Sequence, residues 1–212
     1  MARRNDHSRD ELRDMAIAAT EALLDREGSA GLSTRKIAAA IGYTVGSLYL
    51  VFDNLDDLLV QVNARTLAQL GDWLDRATQA YSDPAAGVRA LGQAYLRFAA
   101  RHRSRWELIF DRRRAPDAML PEAYLTEVAG LFGRVERLLA SHAPERSPQE
   151  AALAARALWS GVHGVCTLAL EGRLDLAGIA EAEQLTDSLI ENYLAGWVRS
   201  GKRNTAVEST PA

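Results

Sequence analysis

The chain has 212 residues, 48% of them hydrophobic, enough to bury a core as one domain or as a small domain beside a larger one. A formal net charge of -3 makes it no polycation, so attraction to nucleic acid has to be local. The single cysteine, Cys166, excludes an intramolecular disulfide framework and fits a reducing cytoplasm. The charged start from Met1 to Ser8 has no apolar stretch behind it, and no apolar run approaches the roughly 20 residues of a membrane helix, so a cytoplasmic chain with no membrane partner is expected.

The recurring apolar period is 3.6 residues and alternating β-branched segments are missing, which predicts an all-α fold of about nine helices. Ser8 with Glu11 forms a capping box for the first helix, whose stripe of Leu12, Met15, Ala16, Ala19, Leu23 and Leu24 ends before Gly28. A second helix opens at Ser33 and stops at Gly42, and a third, very short one covers about Val45 to Val51. Asn54 caps a fourth, with Asp56 and Asp57 at the positive end of its dipole. Asp83-Pro84 opens a fifth, and Ser104 a short apolar piece with Trp106, Leu108, Ile109 and Phe110. Residues 111–121 read as a loop, followed by a seventh helix to about Ser141. Ser147-Pro148-Gln149-Glu150 joins a capping box to proline at the first helical position, the clearest helix start in the chain. A last helix runs from about Ala180 to Arg199. The expected domains are 1–53, 54–200 and a disordered tail over 201–212.

Two short helices joined through Ile41-Gly42-Tyr43 fit a helix-turn-helix over about residues 33–52, with Gly42 supplying the left-handed turn. Leu48 and Phe52 face the core, which leaves Thr44, Ser47, Tyr49 and Leu50 for DNA. Arg35 and Lys36 sit in the first turn of the second helix, where cations oppose the dipole unless an anion such as phosphate is expected. The Arg3-Arg4 arm and Arg9 add positive charge nearby. Residues 1–50 nonetheless carry seven Arg or Lys and seven Asp or Glu, so this segment is neutral overall.

The run from Thr34 to Asp53 resembles the helix-turn-helix of the TetR (tetracycline-repressor) family: Ile37-Ala38, the turn glycine Gly42, Ser47-Leu48-Tyr49 and the aromatic Phe52 stand in the family's order and spacing. The resemblance covers about residues 9–68. It implies a DNA-facing set of Thr34, Arg35, Thr44, Val45, Ser47 and Tyr49, with Tyr49 on a phosphate, to which the residues' own placement adds Lys36, Gly46 and Leu50. Leu55 stands where many members have a phosphate-binding lysine, and Leu50 where His, Tyr or Arg is common; both departures lower the expected backbone affinity.

Further on, Trp159, His163 and Gly164 resemble the Trp-x-x-x-His-Gly stretch of the family's Trp-His-Gly (WHG) subclass. This implies that the helix from Ser147 and the last helix form a four-helix bundle with their copies in a second subunit. Gly161 and Gly164 allow close approach, and Leu185, Leu189, Tyr193 and Trp197 give an apolar stripe. Trp106, Ile109, Phe110, Met119, Trp159 and His163 form the expected effector pocket, suited to a small hydrophobic ligand. His163 and Cys166 share a helical face, but two ligands are not a metal site, and no cofactor is expected. The Arg112-Arg113-Arg114 run reads as a solvated segment or a second anion site. The resulting expectation is a transcriptional repressor, not an enzyme, that binds double-stranded palindromic operator DNA as a homodimer and is released by the effector. A helical interaction module without DNA affinity and a helical-bundle enzyme are the other classes; the second lacks a catalytic constellation.

Overall fold

The computed structural model describes residues 7–111, 120–174 and 181–208, the side chains of 200–208 excepted. The Arg3-Arg4 arm, the Arg112-Arg113-Arg114 run and Met119 lie outside these residues. Among the described residues there are nine α-helices, a 3-10 turn at Ser29–Gly31 and no strand, so the fold is all-α as expected. The helices are α1 (Arg9–Glu27), α2 (Thr34–Ala40), α3 (Val45–Leu48), α4 (Leu55–Thr78), α5 (Pro84–Arg101), α6 (Arg103–Ile109), α7 (Glu122–His142), α8 (Pro148–Leu170) and α9 (Ala182–Glu208).

Local chemistry accounts for the boundaries. Ser8 and Glu11 close a reciprocal capping box on α1, and Ser147 and Glu150 close another on α8 with Pro148 at its first position. In both, the serine backbone N–H donates to the glutamate and holds its carboxyl below the usual range. Asn54 Oδ1 accepts from the Asp57 amide at 2.9 Å to start α4, and the Asp83 carboxylate accepts from the Ala86 amide at 3.0 Å to start α5. α3 is shorter than the period predicts, because Tyr49, Leu50 and Val51 continue as turns. α9 extends past Arg199, where the apolar period ends.

The chain divides into two compact units, one of residues 1–68 and 102–125, the other of 69–101 and 126–212. The first unit is built on Leu12, Ala16, Ile17, Leu23 and Leu24 of α1, Ile37 and Ala38 of α2, Leu48, Val51 and Phe52, Leu58 and Val62 of α4, and Leu108 of α6. The buried face of α1 is rotated from the expected stripe: Ile17 and Thr20 are buried, whereas Met15 and Ala19 are only partly so. Thr20 is tolerated there because its hydroxyl donates to the Ala16 carbonyl at 2.7 Å.

In the second unit α5 and α8 pack on α9. A Cβ at Gly92 would lie 2.5 Å from Ile190 Cδ1 and 3.1 Å from Thr186 Cγ2, so any side chain there would displace Ile190 from the α5–α9 contact. The inward row of α9 is Thr186, Ile190, Leu194 and Trp197, one position off the expected row except at Trp197. α8 is, by length and mean hydropathy (1.2) alone, the one helix among the described residues long and apolar enough to cross a membrane, a test that a core helix also passes. About a third of that window is buried inside the chain, and its exposed part includes Ala157, Ser160 and Leu168 of a stripe described below.

Candidate DNA interface

α2 ends in a Schellman turn: the Gly42 amide donates to the Ala39 carbonyl at 3.2 Å and the Tyr43 amide to the Ala38 carbonyl at 2.9 Å, with Gly42 at φ +74°. Thr44 then caps α3, its hydroxyl accepting from the Ser47 amide at 3.2 Å and sharing a 3.0 Å hydrogen bond with the Ser47 hydroxyl. Four residues of helix are too few to persist alone. Leu48, 1% exposed, and the neighbouring Val51 and Phe52 anchor the segment in the core. Thr44, Gly46, Tyr49 and Leu50 are exposed, the last two at 50% and 58%, and Ser47 is partly so. Val45 is also partly buried and packs against the core cluster, which leaves a limited part of it for a ligand.

At the head of α2, Ser33 accepts from the Lys36 amide at 3.3 Å, and Arg35 and Lys36 are exposed beside the partly buried Thr34. Arg35 makes no ion pair among the described residues. Lys36 does: its ammonium lies 2.7 Å from Glu27 Oε2, while Glu27 Oε1 accepts from Arg26 at 2.5 Å. Lys36, and after it Arg26, hold the Glu27 carboxyl below its usual range, so Glu27 is an anion wherever DNA would be bound. Arg9, expected to add charge for phosphates, points its guanidinium at the Leu50 carbonyl instead. Neither the Glu27–Lys36 pair nor the Arg9–Leu50 contact had a signal in the sequence, because their partners are far apart along the chain.

The other expected site residues fall in both units. Trp106 and Phe110 lie with ring centroids 5.0 Å apart in the first unit, Trp106 buried and Phe110 exposed. There Ile109 also lines a cavity of about 190 Å³ with Leu32, Leu59, Leu108 and Tyr124. In the second unit His163 stacks on Trp159 at 5.0 Å and shares a 2.9 Å hydrogen bond with the Tyr95 hydroxyl through Nδ1. Phe132 meets Trp159 edge-on at 5.7 Å, and the Arg156 guanidinium caps Phe132. Burial holds His163 below its ordinary pKa and pushes the Cys166 thiol up to about 12, which makes the pair a neutral packing element.

Of the expected dimer residues, Trp197 is buried within its own chain: its indole donates to the Leu139 carbonyl at 3.4 Å and Arg146 covers its ring at 4.4 Å. A Cβ at Gly161 would meet Leu189 Cδ1 at 2.8 Å, so Gly161 serves the α8–α9 contact inside the subunit. Leu185, Leu189 and Tyr193 are partly buried. Gly164 faces open space, and with Leu153, Ala157, Ser160 and Leu168 it forms a stripe at spacings of three and four along α8, Leu153 being 71% exposed.

Two family models match. The tetR family of bacterial regulatory proteins covers residues 16–62, and the tetracyclin repressor-like C-terminal domain covers residues 88–193. Among curated proteins, an uncharacterised HTH-type transcriptional regulator of Mycobacterium tuberculosis is 28% identical over 165 residues, 77% of this chain and 72% of the relative. Among solved structures, a protein of unknown function from Rhodococcus sp. RHA1 aligns with TM-score 0.74 at 25% identity, over 92% of this chain and 98% of the other. A multidrug binding protein, EbrR, complexed with imidazole aligns with TM-score 0.59 at 25% identity, over 85% and 93%.

Proposed function

Since the chain belongs to the TetR family and is a DNA-binding, non-enzymatic transcriptional regulator, we propose that it is a homodimeric repressor of a palindromic operator that a small apolar effector releases. The observation that carries this reading is the exposed Thr44 and Tyr49 and the partly exposed Ser47, on and at the ends of a short helix anchored from behind by Leu48, beside Arg35 and Lys36 at the head of α2. In it, α3 enters the major groove, Thr44 and Ser47 reach base edges, and Arg35, Lys36 and Tyr49 meet phosphates. Thr34, Val45, Gly46 and Leu50 complete the contact surface. Thr44 and Ser47 hydrogen-bond each other, so they would read bases as a coupled pair.

Pairing two copies through α8 and α9 supplies the two half-sites, and the exposed Leu153–Leu168 stripe supports that arrangement. The connected rings of Tyr95, Trp159, His163 and Phe132 support an apolar or aromatic effector, and a related protein is described as multidrug binding. Such an effector must bind one dimer state better than the other; tenfold release needs only about 1.4 kcal/mol of differential binding. A cytoplasmic location follows from this role.

Mobility shift with the DNA flanking the protein's own gene tests the proposal. A sequence-dependent shift that Thr44→Ala or Ser47→Ala redirects and Lys36→Ala weakens on every duplex is expected. Absence of any shift at low salt would favour an interaction module instead.

A further inference from the structure

The recognition helix is held from α1 and from the residue before its cap, as well as from the core. At one end, His7 Nδ1 and the Tyr43 hydroxyl share a 2.8 Å hydrogen bond just before α3. At the other, Arg9 Nε donates to the Leu50 carbonyl at 3.1 Å and Arg9 Nη2 donates to the same oxygen. One turn further along α1, Arg13 Nη2 donates to the Val51 carbonyl at 3.4 Å, while its Nη1 pairs with Asp10 at 2.9 Å. The Leu50 and Val51 carbonyls sit in the turns that follow a four-residue helix, where the backbone has few partners of its own.

A phosphate site would look different. The cleft beside these guanidinium groups is lined by Arg9 and Arg13 but also by Asp10 and Asp53, so its formal side-chain charges balance. The Arg9 fork faces a backbone oxygen of the very segment that carries Tyr49. An arginine suits this use because its planar fork fixes a direction, which a lysine ammonium cannot do.

We propose that Arg9 is a positioning residue for DNA recognition, which sets α3 through the Leu50 carbonyl instead of neutralising a phosphate; the proposal rests on the DNA-binding reading of α3. Arg9→Lys keeps the charge and loses the fork, and Arg9→Gln loses both. Fluorescence anisotropy would follow wild type and both variants, on a duplex that wild type selects from random DNA and on an unrelated duplex, across a salt series. Both variants are expected to bind the selected duplex at least tenfold more weakly. The unrelated duplex should be bound as by wild type, the salt slope should stay unchanged, and so should the melting temperature. Hydrogen exchange of the Leu50, Val51 and Phe52 amides should be faster in both.

If Arg9→Lys binds like wild type while Arg9→Gln lowers the salt slope by about 0.9, Arg9 is a phosphate contact and the proposal fails. It fails equally if both variants match wild type, or if both melt far below it and so assign Arg9 to the fold alone. Wild type that selects no duplex would overturn the DNA-binding reading, and the assignment with it. That outcome is distinct from one in which wild type binds and Arg9→Lys equals it.

Discussion

The Lys36 ammonium lies 2.7 Å from Glu27 Oε2, so a phosphate arriving at the head of α2 has to take the lysine from a carboxylate. Glu27→Gln is therefore expected to tighten binding to every duplex severalfold, with no change of base preference, and the gain should shrink on a Lys36→Ala background. Titrations of the single and double variants would show it; a Glu27→Gln protein that binds no tighter would mean that the pair does not compete with DNA. A second expectation concerns His163, whose folded pKa burial depresses below the ordinary value of 6.5. The unfolded chain then takes up a proton that the folded one resists, so this contribution is intact above pH about 6.5 and is lost as the pH falls through the folded pKa. Denaturant unfolding at neutral and mildly acidic pH should show a steeper loss for wild type than for His163→Gln. Parallel pH profiles would refute the assignment.

The element most dependent on one residue is the α2–α3 turn. Gly42 has φ +74°, and no atom lies within 4 Å of where a Cβ would stand, so alanine there meets no clash and only the left-handed backbone opposes it. Gly42→Ala should lower stability by about 1–2 kcal/mol, the cost of that conformation for an L-residue. A shifted denaturation midpoint at constant slope would show it. A loss well under about 0.5 kcal/mol would mean that the turn relaxes, in which case DNA affinity should fall instead, since α3 starts three residues on.

For the whole molecule the decisive residue is Gly164, because it separates the subunit's own fold from an assembly. Its Cβ position is open in the isolated chain, whereas Trp197 is buried there. A Trp197→Glu change would thus damage the subunit itself, and Gly164→Glu tests pairing alone. Sedimentation should find wild type dimeric and Gly164→Glu monomeric with undiminished helical content, since a helical glycine is being replaced by a better helix former. Obligate interfaces bury upwards of about 2,000 Å², and a buried glutamate at the centre of one has no partner. A Gly164→Glu protein that stays dimeric would move the interface away from this stripe.

Caps, breakers and period are properties of neighbouring residues, and they were legible: the boxes at Ser8–Glu11 and Ser147–Glu150, proline at the head of α5 and α8, and glycine at the α2 turn all stand where the sequence put them. So was the helix-turn-helix, whose signal is a spacing of residues within one short segment. The length of α3, the rotation of the α1 and α9 faces and the placement of Trp197 depend on which surfaces meet, and periodicity locates a stripe only to about one residue. The electrostatics of the interface depended wholly on the tertiary structure. Glu27 and Lys36 are nine residues apart, Arg9 and Leu50 forty-one, and His7 and Tyr43 thirty-six. Hydrogen bonds act over about 3 Å, so only the folded chain decides which cations remain available to DNA and which are already committed to the protein.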